Sequence, residues 1–404
     1  AQPLLPSFLY VPGHHELPDG ALALSWKPGA DYAVGVFARE HGPRVPGRLV
    51  ASAKSWLAHG GVDRTAGILP WHGDLGGHSL SPLEVSRRFV LHIRDAWDSV
   101  FGTQCDSEGT PCTMEEQQVV LTVPASFDEV ARDLTLRAAR EAGLTRVTLL
   151  EEPLAAFYGW LLARENAWQE RIDDGDLVLV IDIGGGTTDF SLVEVHDGSS
   201  LRRTAVGEHL LLGGDNIDMA LARRLESEWE RTLEPREWSE LCHHCRDAKE
   251  TLLGVDAPDH AEIVLAGRGS SLIGGQRTAR LDRDTVEAMV LDGFFPQVGP
   301  NDADPTRRRG MRQMGLPYVA DPAVTRHLAA FLRGAANVTR PDRVRDGMAL
   351  PNRILFNGGS LLPEILRRRI VEVVSQWSGR EDRVVPLDSP DLTLAVSNGA
   401  AYYG

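Results

Sequence analysis

Along most of the chain, apolar runs of strand length alternate with amphipathic stretches of helix length. Leu177–Ile181 (LVLVI) is a continuous apolar run, which suits a strand buried on both faces. Phe190–Val195 reads as a second strand. Upstream, Ser81-Pro82-Leu83-Glu84 supplies a cap, a proline at the first helical position and an acid in the first turn. A helix is therefore predicted over Ser79–Ser99. Val85, Phe89, Ile93 and Trp97 recur every four residues and are expected to form its buried stripe. Gln118–Val123 reads as a strand and Asp128–Ala142 as a helix closed by Gly143. Val147–Leu150 reads as a strand and Ala155–Glu165 as a helix. Such alternation predicts an α/β architecture.

The rest of the chain extends this pattern less regularly. Residues 1–79 are rich in Pro and Gly, with short strands expected at Ser7–Val11 and Ala21–Trp26. Arg202–Leu212 leads into Gly213-Gly214-Asp215-Asn216, where Asp215 or Asn216 is expected to cap a helix. Further helices are predicted over Glu237–Leu253, Asp282–Phe294 and Asp321–Arg333. Ala261–Leu265 and Ser271–Ile273 read as a hairpin. Pro296–Pro317, with Arg307, Arg308, Arg309 and Arg312, reads as a solvated polar loop. Ile354–Phe356 is a short strand running into Asn357-Gly358-Gly359-Ser360, with a helix from Pro363. The chain closes with a strand at Arg383–Pro386 and a helix over Thr393–Tyr402.

The chemistry concentrates between the two strongest strands, in Asp182-Ile183-Gly184-Gly185-Gly186-Thr187-Thr188-Asp189. Three glycines clear side chains from the backbone, whose N–H groups can line a nest for phosphate oxygens. The Thr187 hydroxyl can donate to a phosphate. Asp182 and Asp189 would repel a bare phosphate, so their presence implies a hydrated divalent cation beside the anion. No G-x-x-x-x-G-K-[ST] loop accompanies them. Glu152 follows a strand end and precedes a helix, where α/β ligand sites form. It reads as a metal-shell acceptor or a base for water, or as a charge favoured by the helix dipole. Gly213 and Gly214 suit a phosphate or a plain helix entry.

Composition narrows the classes. The 404 residues suffice for two lobes, and 42% hydrophobic residues supply a large core. A formal charge of −15 argues against general binding to nucleic acid or anionic membranes. No run approaches the roughly 20 apolar residues that span a bilayer, and no signal peptide opens the chain. Four cysteines are too few for a disulfide scaffold, so a reducing, cytoplasmic setting is expected. Cys242-His243-His244-Cys245 lie consecutively on one predicted helix, so they cannot all converge on a tetrahedral zinc. Lysine is scarce: only Lys27, Lys54 and Lys249 occur among 42 basic residues. A retained lysine suits a compact point charge, or stands at the surface by chance.

Taken in order, VVLTVPASF, REAGLTRVTLLEEPLAAFYG, VIDIGGGTTDFSLVEV, GEHLLLGGDNID, CRDAKETLL, ILFNGGSLLPEILRR and AVSNGAAYYG resemble the nucleotide-binding domain of the heat-shock protein 70 (DnaK-type) chaperones. That family lies within the actin, hexokinase and chaperone ATPase superfamily. The resemblance implies a two-lobed actin-like ATPase fold, with duplicated ribonuclease H-like cores and a nucleotide cleft between them. Lobe I would comprise residues 1–174, with an upper part to 79, completed by 391–404. Lobe II would comprise 175–390, its upper part 213–319. The implied ligands are ATP or ADP and Mg2+.

Residue by residue, the resemblance assigns Asp182, Gly184, Gly185, Gly186 and Thr187 to a phosphate loop and Asp189 to its distal acid. Lys54 falls on the catalytic lysine. Glu152 falls on the acid that positions metal-bound water, so Asp182, Asp189 and Glu152 form the metal shell. Gly213, Gly214, Asp215, Lys249, Gly358, Gly359 and Ser360 fall on the nucleotide-binding junctions. Arg246 stands where the family carries an acid, and Leu253 where it carries a small polar residue. The implied partners are a C-terminal substrate or partner domain, co-chaperones and a nucleotide-exchange factor, with no nucleic acid and no membrane. The alternatives are a sugar-type kinase of the same superfamily and a non-hydrolysing nucleotide-sensing or scaffold module. The family's opening strand-turn-strand, with its Asp-x-Gly-Thr-Thr loop, has no counterpart here, and a fragment is expected. The coding sequence upstream of Ala1 tests this: a strand there carrying Asp-x-Gly-Thr-Thr would bear out the fragment reading.

Overall fold

The computed structural model describes residues 3–404, apart from 72, 165–166, 197–199, 266–276, 303–308, 314–315, 380–383 and 390. The fold is mixed α/β, with several separate sheets packed among helices. Its largest sheet among the described residues has five strands, in the order Val385–Leu387, Arg353–Asn357, Leu177–Ile183, Thr188–His196 and Ser200–Val206. The first three run parallel and the last two antiparallel. Leu177–Ile183 is the middle strand, which explains its unbroken apolar run: both of its faces are covered.

Alternation along that strand divides its side chains between two cores. Leu177, Leu179, Ile181 and Ile183 enter one core, with Leu221 and Leu225 of the helix Gly214–Glu228 and Leu328 and Ile370 from later helices. Val178 and Val180 enter the other, against Phe157 and Trp160 of the helix Glu152–Arg164. By this alternation Asp182 continues the Val178–Val180 face. Cross-strand register places Asp189 directly opposite Asp182 in the hairpin, and Asn357 beside it on the other flank. These three polar residues therefore share one face at one end of the sheet.

A separate parallel pair, Val119–Val123 and Val147–Glu151, carries the next helices. Asp128 caps Glu129–Glu141 by accepting from the Ala131 N–H at 2.7 Å, and Gly143 follows with φ +91°. The first eighty residues form a small antiparallel sheet of Leu9–Tyr10, Ala33–Val34 and Leu49–Val50, with the short helix Ala53–Ala58. Their core gathers Leu9, Trp56, Leu69 and Leu75 with Val85. The terminal helix Ala395–Tyr403 crosses Glu152–Arg164 at Gly399 and Gly159. No helix among the described residues is long and apolar enough to cross a membrane.

Several expectations change. The helix Pro82–Phe101 is present and Ser81 caps it, but its stripe is only half buried. Val85 is fully buried and Phe89 partly so, whereas Ile93 is 45% exposed and Trp97 37%. The N-terminal half packs beside Leu57 and Leu134, and the C-terminal half runs on past them. Ala21–Trp26 forms no strand; Leu24 and Lys27 pair across one tight turn. Asn216 is the third residue of its helix and not the cap. Its side chain reaches back to the Gly213 N–H at 2.8 Å. Within Pro296–Pro317 a hairpin of Arg309–Gln313 and Leu316–Val319 replaces the expected open loop. Arg307 and Arg308 lie outside the described residues, as does Ser271–Ile273. His260–Leu265 pairs instead with Arg277–Asp282.

The helix crossing is close enough to test. A methyl at Gly399 would overlap the Ala155 carbonyl oxygen and approach the Gly159 nitrogen. Overpacking of this kind costs about 1–3 kcal/mol. Gly399→Ala is expected to lower the urea midpoint by the equivalent of about 2 kcal/mol with an unchanged slope. A midpoint equal to wild type would show that the helices can part freely.

Candidate functional site

Each side chain of the site is delivered by the end of an element. Lys54 is the second residue of Ala53–Ala58, whose preceding Ser52 adopts a left-handed backbone, φ +56°. Glu152 opens the helix Glu152–Arg164, directly after the strand Val147–Glu151. Asp182 is the penultimate residue of the central strand. Lys54 Nζ lies 2.5 Å from Glu152 Oε1. Lys54, Glu152 and Asp182 line one pocket of about 260 Å³ with Asn357, Gly358 and Gly359. Leu4, Leu392, Thr393 and Val396 complete its wall.

The electrostatics are those of one cation among three acids. Burial alone would lower the Lys54 ammonium. The charge of Glu152 and its hydrogen bond outweigh that, with help from Asp182 and Asp189, and hold it above the ordinary lysine value. The side chain keeps 48% of its surface open to the cleft, although the walls stand close enough to strip water from its charge. Burial pushes the Asp182 carboxyl up to about 7, and the neighbouring Glu152 and Asp189 charges add to this. Lys54 and the Asn357 amide, which donates to Asp182 Oδ2 at 2.6 Å, pull the other way. Asn357 Oδ1 is buried and without a hydrogen-bond partner.

The glycine turn sits at a junction beside this pocket. The Gly184 carbonyl accepts from the Gly214 N–H at 3.1 Å and from Ser360 Oγ at 2.8 Å. The Gly185 carbonyl accepts from the Asp215 N–H at 2.7 Å. A methyl at Gly213 would meet the Gly185 carbonyl oxygen at 2.5 Å, so this glycine permits a close backbone approach. Gly358, at φ +92°, lies against Ile183 and 2.7 Å from Asp182 Oδ1 on the same measure. Gly186 and Thr187 complete the turn, and the Thr187 carbonyl accepts from the Gly184 N–H at 2.9 Å.

A second charged group adjoins the first. Lys249 Nζ lies 2.6 Å from buried Asp218 and 3.2 Å from the Gly214 carbonyl. Arg246 bridges Asp215 at 2.6 Å and Asp218 at 3.2 Å. Asp215 and Lys249 are thus close to Ser360 and Gly214 but engaged with protein counter-ions. Asp189 turns to Ser126 and His209, and does not line the pocket. Among the described residues no three His, Cys, Asp or Glu side chains converge tightly enough to hold an ion by themselves. Asp182 and Glu152 face the pocket, with Asp189 beside Asp182 across the hairpin, and carboxylates crowded in this way are chemistry that a hydrated cation would fit. The crowded carboxylates and the orphaned Asn357 oxygen fit such a guest.

Asn357, Ser126 and His209 are the neighbours that sequence reasoning missed. Asn357 had a signal: its strand runs beside Asp182 and ends in the same Gly-Gly motif. Ser126 and His209 lie within the quoted strings VVLTVPASF and GEHLLLGGDNID, but nothing local marks a serine or a histidine that meets a distant acid.

A family model described as "Hsp70 protein" matches residues 75–294. This chain belongs to the Hsp70 family. Two curated relatives are each described as "Chaperone protein HscA homolog", from Acidithiobacillus ferrooxidans strains ATCC 53993 and ATCC 23270. Each is 30% identical over 283 residues, covering 67% of this chain. The chain spans 40% of the length of those relatives. The Hsp70 match takes in Glu152, the glycine turn, Gly213, Gly214 and Lys249, whereas Lys54 and Gly358–Ser360 lie outside it. Tertiary packing returns those outlying residues to the same site.

The raised Asp182 carboxyl has a measurable consequence. In the folded protein Asp182 keeps its proton up to about 7, but an unfolded aspartate releases it near 4. Between those values the unfolded state binds fewer protons, so this group makes stability fall as pH rises. Asp182→Asn is expected to remove that part of the fall in the nucleotide-free protein. Its advantage over wild type should grow from pH 4.5 to 7 and then level, at about 1–3 kcal/mol. Urea titrations at pH 4.5, 6 and 8 check this, and a gap independent of pH would contradict it.

Proposed function

We propose that this Hsp70 chain binds ATP and hydrolyses it to ADP and phosphate, and that the phosphates occupy the Lys54–Glu152–Asp182 pocket. The observation that carries the reading is the 2.5 Å Lys54–Glu152 pair, joined across 98 residues of sequence, beside the glycine turn and Gly358–Gly359. Phosphoryl transfer needs positioning and neutralisation of charge more than covalent help. Lys54 supplies a point charge for the terminal phosphate. Glu152, held by Lys54, orients the attacking water. Gly184, Gly185 and Gly186 leave room for phosphate oxygens at the turn, where the Thr187 hydroxyl can donate. Asp182 and Asp189, with Glu152, would hold hydrated Mg2+, which when bound offsets phosphate charge.

Ser360, Gly214 and Lys249 form the neighbouring face on which the nucleoside would lie. Arg246 there is tied to Asp215 and Asp218, and a base would stack beside a guanidinium where the family carries an acid. Residues 1–174 with 391–404 would form one lobe and 175–390 the other, closing on the nucleotide. The closure would be read by a C-terminal partner domain, by co-chaperones and by an exchange factor. The thiols of Cys105, Cys112, Cys242 and Cys245 are free, which suits a reducing cytoplasm.

The test is Lys54→Ala. Removing one preorganised charge of this kind slows chemistry by about a hundredfold or more. Single-turnover ATP hydrolysis is expected to fall by that factor, while ADP affinity by calorimetry stays within about tenfold, the loss of one charge-assisted contact. Wild-type turnover in the variant would remove Lys54 from the mechanism. ADP binding without any wild-type turnover would favour the nucleotide-sensing module.

A further inference from the structure

Asp189 is held by two residues that neither the motif nor the family match assigns. Its Oδ1 lies 2.5 Å from Ser126 Oγ. Both of its oxygens lie 3.0–3.1 Å from His209 Nδ1. Ser126 Oγ is also 3.2 Å from that nitrogen. A carboxylate only accepts, so the Ser126 hydroxyl donates to Asp189, and His209 must carry its proton on Nδ1 to donate as well. The side chains of Asp189 and His209 are 13% and 12% exposed.

The three residues come from separate elements. Asp189 is on the hairpin strand of the central sheet, opposite Asp182. His209 follows the edge strand Ser200–Val206, and backbone bonds in both directions between Thr188 and Leu210 fix it beside Asp189. Ser126 lies in the turn between Val119–Val123 and Glu129–Glu141, outside the central sheet. The next residue in that turn, Phe127, meets the His209 ring nearly edge-on, with centroids 5.9 Å apart and planes at 83°. His209 Nε2 is buried and finds no partner.

Among the described residues, Ser126 and His209 are the side chains that hydrogen-bond the Asp189 carboxylate. It stands near Asp182 and Glu152, and Lys54 is the cation they share. A free carboxylate there would swing away from its like-charged neighbours. We infer that His209 and Ser126 are positioning residues: together they hold Asp189 on the face of Asp182, and Ser126 makes that hold depend on the seating of the 124–128 turn. This deepens the proposed ATPase reading and rests on it for its functional consequence. The geometry itself is independent of that reading.

Two measurements separate the inference from the reading. In the nucleotide-free protein with 15N-labelled histidine, His209 is expected to show a protonated Nδ1 and a bare Nε2, and Ser126→Ala to shift that signal. A proton on Nε2 instead, or a signal unmoved by Ser126→Ala, would overturn the inference whether or not the protein hydrolyses ATP. Turnover then reads the consequence. His209→Asn keeps a donor at the Nδ1 position, and His209→Leu keeps volume against Phe127 without one. Loss of a hydrogen bond to a charged group amounts to roughly tenfold to a hundredfold. Turnover should fall by that factor in His209→Leu and in Ser126→Ala, and recover in His209→Asn and Ser126→Thr, with ADP affinity unchanged. A slow His209→Asn beside a normal His209→Leu would mean packing alone and would overturn the positioning role. An NMR result as expected in a wild type that shows no turnover would instead count against the ATPase reading, and leave the hold on Asp189 standing.

Discussion

The Lys54 ammonium faces Glu152 directly, with Asp182 and Asp189 close behind. This one cation among three acids is the constraint on which the site depends. The acids are brought together by the sheet register and by the start of a helix, neither of which can yield without disturbing a core. Lys54 lowers the cost of that crowding but does not cancel it, and the raised Asp182 carboxyl records the remainder. A site with surplus negative charge at close quarters is prepared for a guest that brings positive charge.

The architecture explains why the acids cannot relax. The central strand is buried on both faces and its alternation commits every residue to a side. Asp182 falls on the side of Val178 and Val180 because it is four and two residues beyond them. The helix Glu152–Arg164 covers that same side with Phe157 and Trp160, so its first residue, Glu152, arrives at the strand end. The terminal helix Ala395–Tyr403 locks this helix in place at Gly159 and Gly399, where only glycine lets the backbones approach. Fold and charge are coupled: the packing that stabilises the sheet also holds like charges together.

Glycine serves two purposes around the pocket. The turn Gly184–Gly186 keeps side chains out of the junction beside the pocket, where phosphates are proposed to sit. Gly213 and Gly358 do something different, since each lets one segment press against the backbone of another. Arg246 likewise changes its meaning in context. It is satisfied by Asp215 and by Asp218, which burial leaves with a raised carboxyl. Its charge is balanced inside the cluster.

The two strands of the Asp182–Asp189 hairpin, the helices with clear caps and the glycine junctions were legible in the chain, because local patterning and turn chemistry determine them. Asp182 and Asp189 were legible as flanking the glycine turn, while the register that sets them opposite each other came from the fold. The half-exposed stripe of Pro82–Phe101 was not legible, because a four-residue period marks a helical face and not how far its neighbours extend. The resemblance brought Lys54 and Glu152 to one site, but their direct contact across 98 residues was not legible. Ser126 and His209 meet Asp189 from separate elements, and only folding decides such meetings. Local propensity acts over a few residues. Convergence of charge is set by the cores that hold distant elements in place.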